Sequence, residues 1–280
     1  MNLSQLLHSG SEVLKLKKIE TYQLDSELVL SNLLKQQREN LIIDLNQKVS
    51  ENIALKFKNL ISRRAKREPL AYILKNKEFW SKDFFVDRST LIPRPETELL
   101  CENIIKIFRN KNLYILDMGT GSGCIILSIL TELKSAKGIG IDISRKAIEI
   151  AKKNSNKLGL NKKVKFLNKS LDNIYGYKFD LIVSNPPYIK TGDIKNLSED
   201  VKRFEPKIAL DGGKDGLDVI KKVIYKSRTI LKKLGILALE LGYGQYHKVS
   251  QILEETNFKE KLLVKDYKNN VRCILAQLRD

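Results

Sequence analysis

Tyr114-Ile115-Leu116-Asp117-Met118-Gly119-Thr120-Gly121-Ser122-Gly123 reads as a short apolar strand that ends on a carboxylate and runs through a glycine turn into a helix. Glycine at every second position lets the backbone approach a ligand closely, and the first amides of the helix then point at it. Strands and helices alternate from here on. Strand candidates are Tyr114 to Asp117, Gly138 to Ile143, Val164 to Leu167, Phe179 to Ser184, Ile236 to Leu241, Lys261 to Asp266 and Arg272 to Ala276. Helices are expected at about Cys124 to Leu133, Arg145 to Leu158, Leu217 to Lys233 and Gln245 to Thr256. That order specifies an α/β fold with a doubly wound, seven-stranded sheet. The last two strands have no helix between them, so the sheet should be mostly parallel with an antiparallel last strand.

A dinucleotide fingerprint would continue the loop with glycine or alanine at Cys124, so a nicotinamide or flavin pyrophosphate is not favoured. Asp142 instead closes the second strand, about 20 residues past the loop, where a carboxylate can take both hydroxyls of a ribose. Gly119, Thr120, Gly121, Ser122, Gly123 and Asp142 together describe a site for a nucleoside without phosphates. Asp117 is placed to orient the loop or to hold an ammonium group of the same ligand.

At the fourth strand, Leu181-Ile182-Val183-Ser184 leads into Asn185-Pro186-Pro187-Tyr188. The apolar run suits a strand covered on both faces, and the two prolines fix φ and end the ladder. Open α/β sheets bind their ligands at this carboxyl edge. A side-chain amide, the carbonyls of Pro186 and Pro187 and a phenol ring suit a planar NH2 group there. The Asn185 side-chain oxygen and the Pro186 carbonyl would each accept one hydrogen, and Tyr188 would stack on the plane. The simpler reading of the same residues is a strand end followed by a turn.

Upstream, residues 1–66 read as polar-rich helices with loops around Glu20 to Gln23 and Glu39 to Leu45. Ile53, Phe57, Leu60 and Ile61 fall on one helical face. Arg63-Arg64-Ala65-Lys66-Arg67 closes that helix, where cations suit the dipole or form a patch for an acidic partner. Glu78-Phe79-Trp80 and Phe84-Phe85-Val86 flank a turn-like Ser81-Lys82-Asp83, the pattern of a hairpin. The stiff elbow Leu91-Ile92-Pro93-Arg94-Pro95-Glu96-Thr97-Glu98 then precedes a helix from about Thr97 to Phe108, and such elbows line clefts. Glu96, Thr97 and Glu205 suit helix capping, loop bracing or ligand contact equally.

A chain of 280 residues, 42% of them hydrophobic, can bury a full core and suggests two domains. No run approaches the ~18 consecutive apolar residues of a membrane span. Met1-Asn2-Leu3-Ser4-Gln5 lacks the plan of a signal peptide, so a cytoplasmic protein is expected. Cys101, Cys124 and Cys273 lie far apart, and His8 and His247 stand in no ligand spacing. Disulfides, a metal site and a Ser/His/Asp site are therefore not expected. The formal charge of +18 would attract polyanions or acidic protein surfaces, but the excess is lysine scattered along the chain rather than a stripe, so it names no substrate.

Taken together, the motifs resemble one family. Pro69-Leu70-Ala71-Tyr72-Ile73, Glu78-Phe79-Trp80, the elbow from Leu91 to Glu98, Leu116 to Cys124, Ser184-Asn185-Pro186-Pro187-Tyr188-Ile189, Phe204-Glu205-Pro206, Ala209 to Gly213 and Asp215-Gly216-Leu217-Asp218 carry the likeness. They are similar to signatures of the HemK/PrmC family, the release-factor glutamine methyltransferases, within the class I S-adenosylmethionine-dependent methyltransferases. The resemblance implies a helical substrate-recognition domain over residues 1–74, a hairpin linker over 75–92 and a methyltransferase domain over 93–280. It implies S-adenosyl-L-methionine as cofactor, with Leu171 near the adenine and Asn185 beside the cofactor. It also implies a class I peptide chain release factor as partner, methylated on the side-chain amide nitrogen of the glutamine in its Gly-Gly-Gln loop, with neither metal nor nucleic acid required. The competing reading is a methyltransferase for exocyclic amines of nucleic acid, which shares Asn-Pro-Pro-Tyr but usually carries a dedicated recognition module.

Overall fold

A computed structural model describes residues 1–43 and 45–280, the side chain of Ile42 aside. The chain divides into two compact units, residues 1–76 with 198–204 and residues 77–197 with 205–280. The hairpin segment thus lies inside the second unit and residues 198–204 inside the first, a division that the chain-order boundaries 1–74, 75–92 and 93–280 do not express.

The first unit is helical: α1 (Leu3–Leu16), α2 (Tyr22–Leu34), α3 (Arg38–Ile43), α4 (Glu51–Ala65), α5 (Leu70–Leu74) and, from the distant segment, α9 (Glu199–Phe204). Asn2 and Gln5 cap α1 reciprocally, each side chain accepting the other's backbone amide at 2.9 and 3.1 Å. The apolar face of α4 is the buried one, with Phe57 and Ile61 fully enclosed among Leu3, Leu6 and Leu30 and with Ile53 and Leu60 packed beside them. The loop expected around Glu39 to Leu45 is helical through Ile43, because Leu41 reaches that core; Asp44 lies outside the described residues. Three cations of the basic run are engaged within the unit. Arg64 is buried between Asp25 at 2.6 Å and Asp200 at 2.7 Å, Arg63 pairs with Glu68 at 2.8 Å, and Arg67 donates to the carbonyls of Lys17 and Lys18.

In the second unit β1 (Lys77–Phe79) and β2 (Lys82–Phe84) pair as a hairpin whose Phe79 and Phe84 join the core. Phe79 opposes Lys82, so the turn is Trp80-Ser81, both left-handed at φ 53 and 52, and not the expected Ser81-Lys82-Asp83. Two left-handed residues match the twist of a two-residue hairpin. There follow α6 (Pro95–Ile107), β3 (Tyr114–Met118), α7 (Cys124–Glu132), β4 (Lys137–Asp142), α8 (Arg145–Lys157), β5 (Val164–Asn168), β6 (Phe179–Ser184), α10 (Asp218–Ile230), β7 (Leu231–Glu240), α11 (Tyr246–Glu255), β8 (Phe258–Lys265) and β9 (Val271–Leu278).

Among the described residues seven strands form one sheet in the order β5-β4-β3-β6-β7-β9-β8. Only β9 runs antiparallel to its neighbours, as the missing last helix required. Strand alternation sends Ile115, Leu181 and Val183 to the face under α6, α7 and α8, and Leu116, Ile182 and Leu237 to the face under α10 and α11. One boundary differs from expectation. The helix expected to reach Lys233 stops at Ile230, because Leu231 already pairs with Phe179; surplus residues then bulge at Leu234, φ 59, before Ile236 meets Leu181. The chain steps outward from β3 to β5 and returns to β6, so the carboxyl ends of β3 and β6 flank the point where strand order reverses, the place where such sheets bind ligands. No described helix is long and apolar enough to cross a membrane.

Candidate active site

At that switch point the second unit holds a cavity of about 300 Å³. Gly119, Thr120, Gly121, Ser122, Asp142, Leu171, Asn185, Pro186 and Pro187 line it, and so do Pro93, Arg94 and Thr97 of the elbow. Asp117, Gly123 and Tyr188 are not among the lining residues, and each supports one that is. Asp117 Oδ2 accepts the Thr120 hydroxyl at 2.6 Å. Gly123, at φ 81, starts α7 where a Cβ would press on Leu127 at 3.1 Å and on Phe166 at 3.3 Å. Tyr188 packs its ring beside the core of Ile182 and Leu239, so the stacked ring expected on the cavity wall is an anchor for the corner. Its carbonyl accepts from Gln245 Nε2 at 3.0 Å.

The glycine turn is tied to β4. Gly119 and Thr120 donate their amides to the Ile141 carbonyl, both at 2.9 Å, and Gly121 donates to Asp142 Oδ2 at 3.0 Å. Asp142 Oδ1 accepts from the Ser144 amide at 2.8 Å. Each carboxylate oxygen so used keeps another lone pair, which leaves the half-buried Asp142 able to meet a hydroxyl from the cavity. Burial raises its pKa. Asp117 is enclosed completely, and burial pushes its pKa up to about 7 against the pull of the Thr120 hydrogen bond. Its Oδ1 has no hydrogen-bond partner among the described residues, and Asp117 orients the loop from behind the cavity wall through Thr120. A half-buried carboxylate that keeps a lone pair for a hydroxyl, tied to a glycine turn that lines the cavity, fits a nucleoside.

Across the cavity, Ser184 Oγ donates to the Met118 carbonyl at 2.7 Å and joins the ends of β3 and β6. Asn185 Nδ2 donates to Thr97 Oγ1 at 3.2 Å, and Thr97 Oγ1 donates to Glu240 Oε2 at 2.6 Å. A hydroxyl has one proton to give, so Thr97 must accept from Asn185 and the amide NH2 must face it. The Asn185 oxygen is thereby left for the cavity. Glu240 is fully enclosed, and burial pushes its pKa up to about 7, with the Thr97 hydrogen bond and the Arg272 charge opposing. Tyr188 gives its hydroxyl to Glu240 Oε1 at 3.4 Å. Glu205 proves to be a brace: it accepts from Arg94 Nη2 at 2.6 Å and from the Ile92 amide at 3.2 Å. Glu96 is exposed and off the cavity.

Residues 5–74 match the family model for the PrmC N-terminal domain, and residues 109–208 match that for a methyltransferase domain. A Clostridium acetobutylicum protein named release factor glutamine methyltransferase is 38% identical over 99% of this chain and 98% of its own length. This chain belongs to the release factor glutamine methyltransferase family. Relatives of that name in Rhodospirillum rubrum and Clostridium botulinum are 37% and 39% identical, each over 99% of this chain and over 85% and 99% of their own. A methyltransferase structure from Pyrococcus furiosus aligns with a TM-score of 0.56 at 17% identity, covering 80% of this chain and 100% of that one. The ribosomal protein L11 methylase of Lactobacillus delbrueckii aligns at 0.52 with 20% identity, covering 67% and 81%, and both likenesses concern the fold.

Two supports of this family member's site escaped the sequence. Glu240 had a signal, a lone carboxylate closing the apolar run Leu237-Ala238-Leu239, the same pattern that singled out Asp117. Gln245 had none: it bridges the carbonyls of Tyr188 and Gly216, both at 3.0 Å, and takes the Gly242 amide at 2.8 Å, contacts that exist only once the loops meet.

Proposed function

We propose that this chain transfers a methyl group from S-adenosyl-L-methionine to the side-chain amide nitrogen of the glutamine in the Gly-Gly-Gln loop of a class I peptide chain release factor. It would act as a cytoplasmic protein-(glutamine-N5) methyltransferase that supports translation termination. The observation that carries the reading is the Asn185 amide, on a residue of the cavity wall, whose nitrogen is engaged by Thr97 and whose oxygen has no hydrogen-bond partner among the described residues. The names of its relatives support the same substrate.

Asp142 would hold the cofactor's ribose, the turn from Gly119 to Ser122 its amino-acid end and Leu171 its adenine, with Asp117 orienting that turn through Thr120. Bound there, S-adenosylmethionine supplies an electrophilic methyl group. The chain itself holds the acceptor. Asn185 Oδ1 and the Pro186 carbonyl each accept one amide hydrogen, which fixes the plane of the carboxamide and aims its nitrogen. A carboxamide proton is too weakly acidic for a carboxylate to remove in advance, so no general base is assigned. Alignment carries the rate, and it can be worth up to ~7–11 kcal/mol.

The test is transfer of label from methyl-labelled S-adenosylmethionine to a purified class I release factor, with DNA and RNA in parallel. Label on the release factor alone is expected. Label in DNA or RNA with none on the release factor would overturn the proposal.

A further inference from the structure

We propose that Thr97 and Glu240 are positioning residues that decide which atom of the Asn185 amide faces the cavity, with ionised Glu240 heading a one-way chain of hydrogen bonds. The inference rests on the reading of Asn185 as acceptor of the substrate's amide hydrogens.

The chain has three members and one direction. Asn185 Nδ2 donates to Thr97 at 3.2 Å, and Thr97 donates to Glu240 Oε2 at 2.6 Å. Thr97 has a single proton, so while it donates to Glu240 it can only accept from Asn185. With Glu240 ionised, the carboxylate can only accept, Thr97 must donate to it, and the Asn185 NH2 is drawn away from the cavity. With a proton on Glu240 Oε2, that oxygen donates to Thr97. The Thr97 proton is then released to turn to Asn185, and the amide loses its bias and can offer its oxygen to Thr97 instead. Its NH2 group would then meet the NH2 of an incoming carboxamide, donor against donor. The ionised state is the competent one.

The groups facing Glu240 do not compete for this role. Glu96 and Thr97 come from α6, Cys124 from α7, Tyr188 from the proline corner, and Arg272 and Cys273 from β9. Burial pushes Tyr188 and Cys124 up to about 12 and Cys273 higher, so all three remain protonated. The Arg272 charge favours ionised Glu240, while Glu96 opposes it. Glu240 is the member whose ionisation falls near neutrality, at about 7.

The experiment measures turnover of the full chain with methyl-labelled S-adenosylmethionine, at saturating concentration, and a purified class I release factor. Thr97→Val should lower kcat at least ~10-fold while cofactor affinity by calorimetry stays as in the wild type. Thr97→Ser, which restores the hydroxyl, should bring kcat back to within a few-fold. In an Asn185→Ala background Thr97→Val should cost nothing further, because Thr97 acts only through that amide. Wild-type kcat should fall as pH drops through about 7, and whatever turnover Glu240→Gln retains should lack that fall. Wild-type kcat in Thr97→Val, an equal cost of that change with and without Asn185, or an unaltered acidic fall in Glu240→Gln would each overturn the proposal. Wild-type turnover by Asn185→Ala alone would instead overturn the reading of Asn185 and this inference with it, so the two failures are told apart.

Discussion

Asn185 presents one oxygen to the cavity, and the side chains around it matter for how firmly that oxygen is held. Replacing it by alanine should slow methyl transfer by ~10²-fold or more while leaving cofactor binding intact, the scale seen on losing a preorganised polar contact; turnover near the wild-type rate would remove Asn185 from the mechanism. Asp142 serves the other half of the site. Its two oxygens already order the Gly121 and Ser144 amides, so Asp142→Ala removes both the proposed ribose partner and the tie that shapes the turn. Calorimetry should show S-adenosylmethionine binding at least ~10-fold weaker, the loss of a hydrogen bond to a charged group, and an unchanged affinity would mean that the ribose is held elsewhere. Asp142 and Asn185 were legible because each is a polar residue closing an apolar strand at the carboxyl edge of the sheet, where such folds bind ligands. The orientation of the Asn185 amide was not, because it is set by Thr97, 88 residues away. The place of the Tyr188 ring was equally hidden, since a ring after two prolines can turn to the cavity or to the core.

At the scale of elements, periodicity located the strands and helices of the second unit and missed mainly where two tendencies overlap. Ile230 and Leu231 continue the apolar face of α10, yet Leu231 opens β7, because a ladder bond to β6 outweighs another helical residue. The hairpin turn slipped by one residue because Trp80 and Ser81 carry no glycine to mark their left-handed backbone. Nothing local placed α9 in the first unit. There Arg64 joins Asp200, 136 positions away, to Asp25, which is 4% exposed. Arg64→Met should therefore cost about 3 kcal/mol or more in urea unfolding, because it strands a buried carboxylate, and should speed amide exchange in α9. An unchanged unfolding midpoint would show that the buried pair contributes no net stability.

At the scale of the whole molecule, the two buried carboxylates of the site couple stability to pH. Asp117 and Glu240 ionise near 7 in the folded chain, against ordinary values of 3.8 and 4.5. Between those limits the folded state keeps protons that the unfolded state has released, so stability from this source is complete below the ordinary values and is lost as pH rises through about 7. For Glu240 the loss is at most about 3 kcal/mol. The difference in unfolding free energy, wild type minus Glu240→Gln, should therefore shrink as pH is raised from about 4.5 to above 7 and then level off; a difference that stays constant across that window would mean that Glu240 titrates as an ordinary carboxylate. The α/β class, the sheet topology and the strand-end site were all open to reading from the chain, since they follow from alternation and from where polar residues interrupt it. The net charge of +18 was not informative about substrate, being spread over lysines scattered along the chain.

The most direct measurement is peptide mass spectrometry on a class I release factor after incubation with this protein and S-adenosylmethionine. One added methyl group is expected, on the side chain of the glutamine in the Gly-Gly-Gln loop, and almost none over the same interval with Asn185→Ala. A methyl group on a different residue, or on that glutamine to the same extent with Asn185→Ala, would contradict that expectation.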